Sequence, residues 1–225
     1  MRISNYMSNG ISIVKGIPWV LVWFGFMIFY TALDILIWRK IAPEQSRFLN
    51  LITVAICMAI FLNLLVTKTN FKLRLFSNIS FLGIVLALGC SVLFYFLLDK
   101  GLDPLFEDLF QSSKENYQQI IRLIQISPIV SFFDFCILAP ILEEVLMRGF
   151  LLDGLSINYG KIVALLISAA FFSILHFNIA QIVPSFICGI ILGLLYFYTD
   201  SIFSCILAHM GYNAISYMMI ILSKL

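Results

Sequence analysis

Two adjacent glutamates, Glu143 and Glu144, stand inside an apolar run, and the only two histidines of the 225-residue chain, His176 and His209, stand in two later runs. A carboxylate at bilayer depth costs between about 3 and more than about 10 kcal/mol, so such groups mark function and need partners. On a helix, residues four apart share a face, whereas neighbours diverge by about 100°. Glu144 can therefore reach Arg148 in the favourable Glu-to-Arg order, while Glu143 points elsewhere. The spacing assigns Glu144 to an ion pair and leaves Glu143 free for chemistry. By the same rule His209 shares a face with Asn213, and Phe172 with His176.

If these three faces converge, Glu143 with one imidazole can activate a water molecule by general base catalysis. The other imidazole and the Asn213 amide can then donate to the oxyanion of a tetrahedral intermediate. That is the chemistry of peptide-bond hydrolysis. The same atoms also allow a three-ligand zinc site of Glu143, His176 and His209, with a fourth position open to water. The residues leave both routes open, and zinc is the one cofactor they suggest. No HExxH occurs, and no Ser or Cys stands in a nucleophile arrangement with either histidine. Pro140, three residues before Glu143, removes a backbone hydrogen bond and is expected to kink or open its helix. Blander readings compete with these: an ion-pair network for Glu144 and Arg148, helix joining by Asn213, and core packing for Phe172, one of 22 phenylalanines. Asp34 and Asp134 read as structural or interfacial.

The elements that must position these groups follow from composition. The chain is 62% hydrophobic and 12% charged, with a mean hydropathy of +1.04, which excludes an ordinary soluble domain. An integral, multi-pass membrane protein is expected. No alternating barrel pattern occurs, and helices satisfy their own backbone groups in lipid, so the expected fold is an all-α transmembrane bundle of seven to eight spans. Candidate spans are 17–38, 48–66, 79–98, 128–152, 161–177, 182–198 and 201–223. The first sixteen residues read as a short tail or interfacial segment. The polar interval 99–127 holds Asp103, Glu107, Asp108, Lys114, Glu115 and Arg122 among apolar residues, a pattern suited to an interfacial helix.

Connections after residue 150 are short and nearly uncharged, so the last four spans should pack as one unit. The chain divides on this reading into transmembrane segments with an interfacial loop, 1–127, and a catalytic helical core, 128–225. Lysines and arginines balance on the two sides of the early spans, which leaves the membrane orientation open. A net charge of +2 without a basic patch argues against nucleic acid as a partner. The five cysteines lie in apolar runs without ligand spacing and read as small buried residues.

Three segments, Glu143-Glu144-Val145-Leu146-Met147-Arg148-Gly149, Phe172-Ser173-Ile174-Leu175-His176 and His209-Met210-Gly211-Tyr212-Asn213, resemble the ordered motifs EExxxR, FxxxH and HxxxN. Together they look like the CAAX prenyl endopeptidase and bacteriocin-processing enzymes, also called the Abi family. Met147 departs from the aromatic residue that many members carry, which touches packing more than chemistry. The resemblance implies that Glu143 is the catalytic base acting with His176, that His209 and Asn213 stabilise the oxyanion, that Glu144 and Arg148 support the site, and that Phe172 lines it. It implies an intramembrane endopeptidase whose partners are the bilayer and a membrane-associated peptide or lipidated protein. Two other classes are weighed against it: a catalytically silent membrane partner, such as a bacteriocin self-immunity protein or signalling regulator, and a proton-coupled transporter. The second would show two Gly/Pro-broken halves, which the sequence lacks. Substrate and oligomeric state stay open.

Overall fold

The computed structural model describes residues 6–7, 9–176 and 178–223. Eight helices carry most of them: α1 (Ile13–Ile41), α2 (Ser46–Lys68), α3 (Phe81–Phe106), α4 (Gln111–Ile126), α5 (128–159), α6 (161–174), α7 (Ile182–Thr199) and α8 (Ile202–Leu222). An isolated bridge between Met7 and Phe71 is the only β pairing among the described residues. The expected all-α class holds.

Five helices are long and apolar enough to cross a membrane: α1, α2, α3, α7 with the turn Ile179–Gln181 ahead of it, and α8. This is slightly fewer than the seven to eight spans expected, and the reason is physical. α5 packs Glu143, Glu144, Arg148 and Asp153 into eleven residues. α6, at 14 residues, rises only about 21 Å, short of a hydrocarbon core of about 30 Å. Both expected spans that fall short carry site residues, Glu143 on α5 and Phe172 on α6.

Outward faces are apolar throughout, with Phe81 83% exposed and Ile162 and Ile129 75% and 74% exposed. Water does not tolerate a surface of that extent, whereas lipid does. The chain is an integral, multi-pass membrane protein. Its main apolar core runs from Tyr6 and Phe61 through Phe94 and Leu146 to Tyr196 and Ala208, and a second, smaller cluster joins Ile124, Cys136 and Tyr217.

α5 turns into α6 at Gly160, whose φ of 78° and ψ of 166° glycine adopts without a Cβ clash. α6 then returns along α5, where the Ser168 hydroxyl donates to the Met147 carbonyl at 2.8 Å. α7 packs on α6 through Gly189, where a Cβ would sit 3.0 Å from the Cα of Ala169. α8 lies along α3, tied by the Ser91 hydroxyl, which is 2.9 Å from the Ala208 carbonyl. The three motif-bearing helices are thus fixed at short range.

Of the two amino-terminal readings, a short tail does not fit the described residues. Residues 1–5 and 8 lie outside the described residues, but Tyr6, Met7 and Ile11 are buried. The Met7 N–H donates to Asp153 at 3.2 Å, the Ile11 N–H to the Gly154 carbonyl at 3.0 Å, and the Ile202 N–H to the Tyr6 hydroxyl at 3.2 Å. The segment is a strap across one end of the bundle, not a loose tail. The interval 99–127 contributes the end of α3 and then α4, the most amphipathic of the described helices. The side chains of Glu107, Lys114 and Glu115 lie outside the described ones, as does Phe177 at the end of the expected fifth span.

Candidate active site

The spacing argument paired Glu144 with Arg148, and the two are 2.9 Å apart, both fully buried. The same Glu144 oxygen, Oε1, also lies 2.9 Å from Nδ1 of His209, which is 5% exposed. A carboxylate oxygen accepts, so Nδ1 carries the proton and Nε2 is turned to the remaining space. Glu144 therefore orients a histidine as well as neutralising an arginine. Arg148 reaches on to the Gly189 carbonyl at 3.4 Å and lies over the Phe172 ring, 4.4 Å from its centroid. Phe172 presents its edge or face to both histidines, with centroids 5.0 Å from His176 and 5.6 Å from His209. Its role is more than core packing: it spaces the two imidazoles and holds the guanidinium by cation–π attraction.

His176 stands just past the end of α6, where the ladder tightens. The Leu175 N–H bonds the Phe171 carbonyl, but the His176 N–H drops back to the Ser173 carbonyl at 3.3 Å. This leaves the Phe172 carbonyl open, and Nδ1 of His176 takes it at 2.9 Å. A carbonyl only accepts, so Nδ1–H donates and Nε2 keeps its lone pair. The chain end thereby fixes the tautomer a general base needs.

Asn213 is positioned by a defect in α5. Residues Asp134–Leu138 are π-helical, and the Ala139 N–H bonds back five residues to the Asp134 carbonyl. The next donor in that register would be residue 140, which is proline and has no N–H. The Phe135 carbonyl is left without it, and Asn213 Nδ2 donates there at 2.8 Å. This fixes the amide flip and leaves a second N–H for other use. The expected opening at Pro140 is real, and it serves α8. A further π-helical stretch, Val145–Leu152, begins directly after the glutamate pair, as is common at functional sites.

Glu143, His176, His209 and Asn213 all line one cavity of about 620 Å³, together with Phe172. Glu144 and Arg148 do not; they stand behind His209. Glu143 is half-buried and forms no hydrogen bond or ion pair among the described residues, so its carboxylate is free to meet water. No three His, Cys, Asp or Glu side chains among the described residues gather closely enough to hold a metal ion. The donor set Glu143, His176 and His209 does not fit a zinc ion as it stands, and no step below runs through one.

The structure thus brings Glu143, Phe172, His176, His209 and Asn213 around one space, with Glu144 and Arg148 behind it against His209 and Phe172. Sequence reasoning missed other polar groups that line the same cavity: Asp99, Ser185, Tyr212 and Ser216. Their only signal was a polar residue inside an apolar run, and Asp99 was assigned to a loop. Residues 125–215 match the model of one protein family, described as type II CAAX prenyl endopeptidase Rce1-like. No curated protein and no solved structure matches the chain. The matched segment covers all three motifs and supports an intramembrane endopeptidase in general.

Proposed function

We propose that the protein hydrolyses a peptide bond in a membrane-associated peptide or lipidated protein, using water activated by Glu143. The observation that carries this reading is the shared cavity: a free carboxylate, two tautomer-fixed imidazoles and an amide with a spare N–H all face it. Glu143 and the lone pair on His176 Nε2 polarise the water and take its proton. Attack on the scissile carbonyl gives a tetrahedral oxyanion. Asn213 donates its second N–H to that oxygen. His209 donates through Nε2 when its ring is doubly protonated, with Glu144 facing the ring across the 2.9 Å contact. The proton held at Glu143 and His176 then passes to the leaving amine, which completes hydrolysis. On this reading residues 128–225 carry the reaction and residues 1–127 shape access to it.

The test compares new peptide termini by mass spectrometry in membranes holding equal amounts of wild-type and Glu143→Gln protein. Termini that disappear with the variant are expected, and they would name the substrates and decide between lipidated proteins and peptide precursors. Identical profiles would overturn the peptidase reading in favour of a silent partner. Cleavage is expected to survive dialysis against a chelator; loss that zinc restores would favour the three-ligand site instead.

A further inference from the structure

Beside the catalytic groups, and from their level toward the mouth, the cavity carries further polar groups that the reaction above does not use. Asp99, near the end of α3, lines it, and its carboxylate accepts from the Tyr212 hydroxyl at 2.7 Å and from the Ser216 hydroxyl, both on α8. A carboxylate offers about four lone-pair positions, so two donors leave capacity toward the cavity. Both donors are neutral, and among the described residues no cation forms an ion pair with Asp99. Lys100, its neighbour in the chain, lines the same cavity and attracts the carboxylate without reaching ion-pair distance, its ammonium lying over the Tyr95 ring 5.3 Å from the centroid. A carboxylate with spare acceptor positions facing a cavity can take a charge-assisted hydrogen bond from a cationic donor that enters it.

Across the cavity stands an independent sign of a ligand. Ser185, on α7, is 8% exposed and lines the same space, and its hydroxyl has no hydrogen-bond partner among the described residues. Its depth follows from helix register. The Cys205 thiol on α8 meets the Leu192 carbonyl on α7 at 3.4 Å. Seven residues on along α8 is Tyr212, and seven back along the antiparallel α7 is Ser185. Asp99 with its two donors and Ser185 therefore face one another at one level.

We propose that Asp99 and Ser185 form a subsite for a lysine or arginine residue of the peptide being cleaved. The side-chain cation pairs with Asp99, and the Ser185 hydroxyl hydrogen-bonds the peptide backbone. This rests on the peptidase reading, which it deepens. Tyr212 and Ser216 flank the oxyanion donor Asn213, one residue before it and three beyond it, or about 1.5 Å short of it and about 4.5 Å past it along the helix. An extended peptide advances about 3.3 Å per residue. The basic residue therefore lies about one or two positions from the scissile bond, on the mouth side. A glutamate at that position would face Asp99 and be rejected.

The probes are nine-residue peptides identical except for one position, occupied by lysine, Nε-acetyllysine or glutamate, placed one or two residues from a fixed apolar centre. Binding is read by fluorescence anisotropy on full-length Glu143→Gln protein in liposomes, which prevents turnover. At one of the placements lysine is expected to bind roughly tenfold tighter than acetyllysine, as a charge-assisted hydrogen bond implies. Asp99→Asn should bring that ratio to about one, and Ser185→Ala should weaken both peptides alike. A ratio near one in the Glu143→Gln protein, a ratio that Asp99→Asn leaves unchanged, or no binding of any peptide would overturn the subsite. Should Asp99→Asn fail to fold, the glutamate peptide decides, and binding equal to that of lysine overturns it. Protein retaining Glu143 is assayed in parallel. Lysine-selective binding without cleavage would sink the peptidase reading and keep the subsite; cleavage without lysine selectivity would do the reverse.

Discussion

Glu144 joins two functions at one oxygen, because Oε1 accepts from both Arg148 and His209 at 2.9 Å. Glu144→Gln keeps the shape but can offer His209 only a neutral acceptor, or none if the amide turns. In metal sites, an outer partner that orients an imidazole is worth about 10–100-fold, and the Glu144 contact orients His209 in the same way. Cleavage by Glu144→Gln should fall by that factor, and unchanged cleavage would show that the His209 contact does not matter. Arg148→Met differs in kind: it leaves a fully buried carboxylate without its cation, a loss of roughly 3–5 kcal/mol. Thermal denaturation in detergent should place Arg148→Met well below Glu143→Gln, whose parent side chain has no protein partner among the described residues. Equal midpoints would mean the ion pair does not hold the fold. The Glu144–Arg148 pair was legible in the sequence, since four residues on one helix bring it together. The Glu144–His209 contact spans 65 residues and exists only because α5 and α8 pack, so spacing could not reveal it.

At the scale of elements, the site depends on irregular backbone that regular helices would erase. Pro140 withholds the N–H that would bond Phe135, and Asn213 occupies the freed carbonyl. Pro140→Ala supplies that N–H, which competes with Asn213 and releases its amide. The variant should stay folded and cleave more slowly, with the loss in kcat. If the effect runs through Asn213, combining it with Asn213→Ala should cost no more than Asn213→Ala alone. Additive losses would mean that Pro140 acts by another route. Gly189→Ala is predicted to be harsher, because its Cβ would meet backbone and side chain of Ala169 at 3.0 Å and push α7 away from α6. The lost packing should lower the denaturation midpoint; an unchanged midpoint would show that the helix pair has slack. Hydropathy made the helices legible: the expected spans after residue 127 fall largely on helix, although the one expected over 161–177 leaves the helix after Ile174. The π-helical stretches were not legible, since they depend on which carbonyls the rest of the bundle can satisfy. Nor was the shortness of α6, which follows from the turn at Gly160 and ends the helix at the depth of the site.

Whole-molecule geometry makes the cavity one-sided. Its lining runs along one face of α8 from His209 through Asn213 and Ser216 to Ser223, fourteen residues or about 21 Å. At the same end lie Lys100 and Gln181, whereas the strap of Tyr6 and Met7 closes against the start of α8 at the other end. Alternation of the spanning helices puts the turn between α1 and α2 on the mouth side and the turn between α2 and α3 opposite. With the native cysteines replaced, Gln45→Cys and Gln181→Cys should react with an impermeant maleimide from one face of sealed vesicles, and Ser77→Cys from the other. Labelling of residues 45 and 181 from opposite faces would refute this arrangement. The depth also constrains the substrate. An extended chain needs about six residues to descend 21 Å, so a folded domain held nearer than that to the scissile bond cannot follow it in. In a series of fusions that place a stable domain three to ten residues from a cleaved bond, cleavage should fail below about six and recover above. Uniform cleavage across the series would mean that substrates reach Glu143 sideways from the lipid, between helices, and that the mouth serves water instead.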